Sequence, residues 1–262
     1  MDLSLAGRRA LVAGASQGIG RAAARALAEL GARLTLVARD AAKLAAVRDE
    51  LPPAAGGPHA ILPLDFDDTA RLRREIGALI EREGTHEIVV NNSGGPAPGP
   101  IFSAEPEEFL RAIARHVVAN QVIAQATVPG MKSAGYGRII NVISTSVYEP
   151  IPNLGVSNTT RAAVAAWAKT LSKELGAAGI TVNSVLPGFT DTERLASLIE
   201  ARAKREKSTP EAVAAAMRAQ IPSGRFAAPH EIGEVIAFLA SPAASYVNGV
   251  SLAVDAGRLA SI

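Results

Sequence analysis

The stretch Ala13-Gly14-Ala15-Ser16-Gln17-Gly18-Ile19-Gly20 constrains this chain more than any other. It joins an apolar run that reads as a strand, Arg9-Ala10-Leu11-Val12, to a segment of helical periodicity, Arg21 to Leu30. Three glycines at such a junction let the backbone turn sharply, admit a pyrophosphate with no side chain between, and pack the helix close against the strand. The free N–H groups of the helix N-terminus then face the phosphates. The same spacing also suits a tight strand-to-helix turn with no ligand, so the rest of the chain has to decide.

Beyond Leu30 the strand-then-helix pattern repeats. Arg33 to Ala38 is apolar and rich in β-branched residues, and predicts a second strand. Asp40 stands where a cap is needed for a helix over Ala41 to Leu51, and the loop Pro52 to Pro58 ends it. His59 to Leu64 and Glu87 to Asn92 predict strands three and four, with a helix from Asp65 to about Glu83 between them. Further on come a long helix from Pro106 to Ser133, bent near Pro129, a strand at Gly137 to Ser144, a helix at Ala162 to Leu175 and a strand at Ile180 to Leu186. His230 to Ala240 and Gly249 to Val254 supply a last helix and strand. The alternation βαβαβαβ implies one α/β domain over residues 1–262, a doubly wound parallel sheet of about seven strands with helices on both faces. Residues 189–224, charged and Ala-rich, read as an insertion outside the sheet that could act as a lid. The Gly/Pro loop 93–104 follows a strand's carboxyl end, where open α/β sheets bind ligands.

Composition removes several alternatives. A formal charge of +2 with no Lys/Arg run gives a nucleic-acid surface little support. There is no Cys, and the four His lie far apart at 59, 86, 116 and 230, so neither a thiolate nor a metal centre is expected. No stretch reaches the roughly 18 apolar residues of a membrane span. Arg8-Arg9 precedes an apolar run too short for an export signal, and the cytoplasm is the expected location.

Taken together, the ordered motifs resemble the short-chain dehydrogenase/reductase family over nearly the whole chain. Gly14 to Gly20 is similar to its cofactor turn, Asp65 to the residue that meets the adenine, and Asn91-Asn92-Ser93-Gly94 to its Asn-Asn-Ala-Gly motif. Gly137 to Ser144 resembles the strand that carries the catalytic Ser. Pro187-Gly188-Phe189-Thr190 resembles the loop that closes over the nicotinamide, and Val254 to Gly257 the C-terminal Val-Asp-Gly-Gly. The resemblance implies a Rossmann fold, cofactor contacts at Gly14, Ser16, Gln17, Gly18, Ile19, Gly20, Asp65, Asn92, Ser93, Gly94, Pro187, Gly188 and Thr190, and a homotetramer.

The proton chemistry departs from that pattern. The family uses a Tyr, a Lys four residues later, and an upstream Ser and Asn. Ser144 is present, but Ser157 stands where the Tyr is expected, Arg161 where the Lys is expected, and His116 where the Asn falls, with Asn120 one turn later as the competing choice. A serine hydroxyl is a far weaker acid than a phenol of pKa about 10. Arg161, holding its proton to above about 12, supplies a fixed cation for the ribose and an oxyanion but no proton relay. Tyr148 and His116, the latter with an imidazole suited to transfer near neutrality, are the substitute acids. Each has a plainer reading, as a packing Tyr and as a His satisfied by a backbone carbonyl.

Strand two ends in Ala38-Arg39, with no acid for the ribose hydroxyls of NAD and a cation for a 2′-phosphate, which points to NADP(H). Arg21 is a second cation nearby. The expected activity is NADP(H)-dependent hydride transfer to or from a small-molecule carbonyl or alcohol, 3-oxoacyl- or ketone-like, or reduction of an activated alkene. The competing expectation is a catalytically silent NADP-binding homologue that acts as a sensor or interaction protein.

Overall fold

The computed structural model describes residues 1–261. Seven strands, β1 (Arg9–Ala13), β2 (Arg33–Ala38), β3 (Ala60–Pro63), β4 (Ile88–Asn91), β5 (Gly137–Val142), β6 (Ile180–Pro187) and β7 (Ser251–Val254), form one sheet in the order β3-β2-β1-β4-β5-β6-β7. Every pairing in it is parallel. The chain works outward from β1 to β3, then returns to pair β4 with β1. The carboxyl ends of β1 and β4 therefore flank the point where strand order reverses, the position at which such sheets leave a crevice.

Alternate strand residues feed two cores, as a sheet covered on both faces requires. Ala10 and Val12 of β1, with Leu34 and Leu36 of β2, pack under α1 (Gly18–Glu29), α2 (Ala41–Asp49) and α9 (Pro229–Ala240). Leu11 and Ala13 face the other way, toward α3 (Thr69–Glu83), α5 (Ala119–Ala134) and α6 (Gly155–Leu175). Gly233 lets α9 lie directly on α1, since a Cβ there would meet the backbone of Ala22 and Ala23. As expected, Asp40 caps α2 by accepting from Lys43 N at 3.0 Å.

Two helical expectations need correction. The long helix runs as α4 (Pro106–Ile113) and α5 joined by a π-helical segment, Ala114–Val118, so its departure from α geometry falls around His116, while Pro129 sits inside α5. The helix expected from Ala162 begins at Gly155. Its first turns contain Thr159 and Thr160, whose hydroxyls donate to the carbonyls of Gly155 (3.0 Å) and Val156 (2.7 Å), so these residues are satisfied inside the helix rather than breaking it.

The 189–224 insertion holds α7 (Glu193–Glu206) and α8 (Pro210–Arg218), which enclose a small core of Leu195, Ala203, Val213 and Met217 with Phe189 and Phe226. The two rings meet edge to face at 6.2 Å. A one-residue parallel bridge, Thr190 to Ala227, ties the insertion's entry to its exit.

Candidate active site

The glycine turn is built so that little but backbone lines it. Gly14 (φ +62°) and Gly18 (φ +54°) adopt left-handed conformations that favour glycine. A Cβ on Gly20 would overlap the carbonyl oxygen of Gly14, and one on Gly14 would overlap Asn92 O, so β1, α1 and the segment after β4 approach at van der Waals distance. Gln17 precedes α1 without capping it through its side chain, and no acidic residue occupies the first turn. Those amide groups remain donors aimed at the crevice, a fit for a phosphate. Thr192 lies over the turn, its Cγ2 3.2 Å from the position of a Gly18 Cβ.

At the end of β2, Arg39 is exposed and forms no ion pair among the described residues. Its cation, with Arg111, adds to the dominant Arg115 contact in holding the Asp67 carboxyl below the usual range. Arg115 Nε donates to Asp67 Oδ1 at 2.6 Å. Asp65 accepts from Asp67 N at 3.1 Å, which shapes the loop after β3. Arg21 pairs with Glu50, so its charge is already matched on the surface.

The other half of the site lies at the carboxyl ends of β4 and β5. Arg161 reaches from α6 to donate to Val142 O at 2.7 Å and, at 3.5 Å, to Ser93 O. Ser157 stands one turn before it on the same helix, and its hydroxyl makes no hydrogen bond among the described residues. Ser144, two residues past the Arg161 contact, accepts from Ser146 N at 3.1 Å, and its own O–H remains a donor. Ser93 Oγ lies 2.7 Å from His116 Nδ1. A cavity of about 10 Å³ opens between Ser93, His116, Asn120, Asn141 and Arg161. That is room for about one water. Within this cluster His116 Nε2 and Asn91 Oδ1 are buried without a partner among the described residues. His116 and Asn120, competing choices in the sequence, thus border the same space; Asn120 and Asn91 both donate to Asn141 Oδ1, at 3.4 and 2.9 Å. A larger cleft, about 630 Å³, opens at the opposite end of the sheet beside Tyr136 and Arg138 and holds none of these residues.

Three expectations about proton chemistry change. Burial, with Arg161 and Arg115 nearby, pushes the His116 imidazole down to about 2, so it is neutral near pH 7 and is not the near-neutral acid expected. Burial and the neighbouring Arg194 lower Arg161 to about 10 rather than leaving it above 12, and it remains a cation at neutral pH. Tyr148, 49 % exposed, donates its phenol to Ser251 O at 2.8 Å, which aims the hydroxyl at the edge strand β7. The remaining His are structural or exposed: His59 accepts from Leu34 N at 3.0 Å, His86 lies 2.9 Å from Thr35 Oγ1, and His230 is on the surface. No group of residues suited to a metal occurs among those described.

Nothing in the sequence singles out Arg194. It is the second residue of α7 and donates to Pro96 O at 2.6 Å, crossing onto the 93–104 loop. A lone Arg in a charged helix carries no signal of that contact.

Comparison with known proteins agrees with this architecture. A family model described as enoyl-(acyl carrier protein) reductase matches residues 14–258. The 3-oxoacyl-(acyl-carrier-protein) reductase of Vibrio cholerae is 33% identical over 257 residues, covering 97% of this chain and 98% of that protein. Among solved structures, the L-sorbose reductase of Gluconobacter frateurii, in complex with NADPH and L-sorbose, superimposes with a TM-score of 0.92 at 28% identity, and both chains are covered in full (100%). YwfH, an NADPH-dependent reductase involved in bacilysin biosynthesis, gives a TM-score of 0.91 at 29% identity over 97% of this chain and 99% of that one. With the glycine turn, the strand order and these likenesses in agreement, the chain belongs to the short-chain dehydrogenase/reductase family.

Proposed function

We propose that this protein is an NADP(H)-dependent reductase whose substrate oxygen is held by Ser144 and Arg161. The observation that carries this reading is Arg161, a largely enclosed cation fixed at 2.7 Å on Val142 O, at the sheet's carboxyl edge and two residues from the free Ser144 donor. Such preorganised donors stabilise negative charge as it develops, without reorganisation. The glycine turn, the uncapped start of α1 and unpaired Arg39 would hold the cofactor through its pyrophosphate and 2′-phosphate, with Asp65, Asn92, Ser93, Gly94, Pro187, Gly188 and Thr190 around it. NADPH, when bound there, would supply a hydride to the substrate carbon, leaving charge on the oxygen as an alkoxide or enolate. Ser144 donates a hydrogen bond to that oxygen, and Arg161 holds its charge.

The one proton that completes the reduction distinguishes two substrates. We infer that Ser157 and Arg161 stand in place of the family's Tyr and Lys. His116 is neutral and Tyr148 is engaged at Ser251, so no group of pKa near 7 is poised to protonate an alkoxide. An enolate is a much weaker base than an alkoxide, so Ser144 and Arg161 alone can hold its charge until solvent protonates its carbon. Reduction of an alkene conjugated to a carbonyl is therefore favoured over simple ketone reduction.

The test is NADPH oxidation across matched ketones and enones. Turnover of enones above ketones is expected. Tight NADPH binding with no oxidation by either class would instead support the silent, cofactor-sensing homologue. Exposed Phe102, Leu110 and Val118 near and along the long helix support self-association. Light scattering is expected to show a tetramer rather than a 27.0 kDa monomer.

A further inference from the structure

Among the described residues eleven of the 21 arginines form ion pairs with a carboxylate. Of those that do not, two lie together beside the candidate site. Among the described residues neither Arg161 nor Arg194 has an acidic partner within 4.0 Å; each is held only by main-chain carbonyls, of Val142 and Ser93 for the first and of Pro96 for the second. Both reach the same point. A Cβ built on Gly95 would lie 3.4 Å from Arg194 Nη2 and 3.6 Å from Arg161 Nη2, so the two guanidinium ends are closer together than the sum of those distances. Gly95, with no side chain, leaves the space between them open.

Two cations facing one another repel, and each is lowered from its ordinary pKa, Arg161 by burial and then by Arg194, Arg194 by burial. Such an arrangement persists cheaply only where an anion joins it. The adjoining residues indicate which anion. Thr192 lies over Gly18 and so faces the phosphate-binding turn, whereas Arg194, two residues on, crosses to Pro96 and Gly95 on the loop after β4. A cofactor phosphate belongs under Thr192; the space beside Arg194 and Arg161 lies instead at Gly95, and Arg161 also reaches Val142 O, two residues before Ser144.

We propose that the substrate carries a carboxylate, clamped between Arg194 and Arg161, so that the protein reduces an oxo acid or an unsaturated oxo acid rather than a neutral carbonyl compound. This rests on the reductase reading of the site and narrows it. Two planar guanidinium forks match the two oxygens of a carboxylate.

The test pairs each oxo acid and unsaturated oxo acid with its methyl ester and measures kcat/KM with NADPH. The acids are expected to exceed their esters by about tenfold to a hundredfold. Arg194→Met should collapse that ratio, and Arg194→Lys should keep an intermediate one. NADP+ affinity, titrated separately, should change less than twofold in both. Equal turnover of acid and ester by the wild type overturns the proposal, as does an Arg194→Met variant whose loss of acid turnover is matched by a loss of NADP+ affinity, which would assign the pair to the cofactor's phosphates. If no compound oxidises NADPH, the reductase reading fails by itself. The clamp is then read by calorimetry of a saturated carboxylic acid against its amide on the enzyme–NADP+ complex: acid binding lost in Arg194→Met supports the clamp, and equal binding of acid and amide overturns it.

Discussion

The two sides of the crevice are built from different materials. Around β1, α1 and β2 the site is made of backbone: positive-φ glycines, free helix amides, and close approach between Gly14, Gly20 and Asn92. Around β4, β5 and α6 it is made of side chains whose properties are set by burial and by one another, with Ser93, His116, Arg161 and the Asn91–Asn120–Asn141 group in contact. A backbone cradle tolerates little change, because its geometry is the function. A side-chain cluster can exchange one proton inventory for another while the sheet beneath it stays the same. On the proposed reading, the family's cofactor pattern is kept on the first side and its proton pattern is replaced on the second, which is what this difference in construction leads one to expect.

The comparison breaks if the second side cannot be rewritten. On the reading that Ser157 and Arg161 stand where the family has Tyr and Lys, the double substitution Ser157→Tyr with Arg161→Lys restores a phenolic acid beside a relay cation. Ketone reduction should rise by the factor general acid catalysis supplies, roughly 10² to 10⁴. NADPH oxidation with a neutral ketone, after a check on folding and cofactor binding, measures it. No gain in a variant that folds and binds NADPH would mean that Ser157 does not face the substrate. The first side should be unforgiving instead. Gly20→Ala places a Cβ against the Gly14 carbonyl, and such overpacking costs about 1–3 kcal/mol. The turn must shift to relieve that overlap, and restoring it on binding at that cost should weaken NADPH binding roughly tenfold to a hundredfold, at about 1.4 kcal/mol per tenfold. A fluorescence titration that shows unchanged affinity would mean that the turn does not hold the cofactor.

The same division explains which features are legible in the sequence. The run of strands and helices, the crevice and the glycine turn follow from local signals, periodicity of two against 3.6 and glycine at fixed offsets, and local signals survive in a sequence. The start of α6 does not, because Asn158-Thr159-Thr160 reads as irregular until the hydroxyl-to-carbonyl bonds of Thr159 and Thr160 are seen. The states of His116 and Arg161 are still less legible. His116 is neutral because residues distant in the chain bury it and because Arg161, 45 positions on, faces it. Arg194 escapes notice for the same reason: its partner in space, Arg161, is 33 positions away, and like charges leave no pattern in a sequence.

A smaller effect sharpens the cofactor side. Arg39 is exposed and unpaired, so it should recognise the 2′-phosphate through charge-assisted hydrogen bonds that a 2′-hydroxyl cannot fully use. The wild type should prefer NADPH to NADH, and Arg39→Ala should lower that preference about tenfold. Titration of both cofactors against both proteins checks it. Equal affinities in the wild type would remove Arg39 from the site.

The smallest effect tests the state of His116, on which the proton chemistry of the second side depends. In the unfolded chain an imidazole takes up a proton as pH falls below about 6.5. In the fold this ring resists protonation until about 2, because burial first, and then Arg161 and Arg115, disfavour a second positive charge. Below pH 6.5 the unfolded state therefore binds more protons than the folded one, and stability is lost as pH falls through that window toward 2, at up to about 1.4 kcal/mol per pH unit. Between pH 6.5 and 5.5 this one group should remove about 1 kcal/mol. His86, whose imidazole burial also lowers, acts in the same direction and cancels when two proteins that share it are compared. His116→Asn keeps a polar partner for the Ser93 hydroxyl and removes the titration. Its melting temperature should accordingly fall less between pH 7.5 and 5.5 than that of the wild type, by about 2–4 °C. Parallel curves would mean that the ring accepts its proton inside the fold. His116 would then be an acid available to the substrate, and the preference for enone over ketone would lose its physical basis.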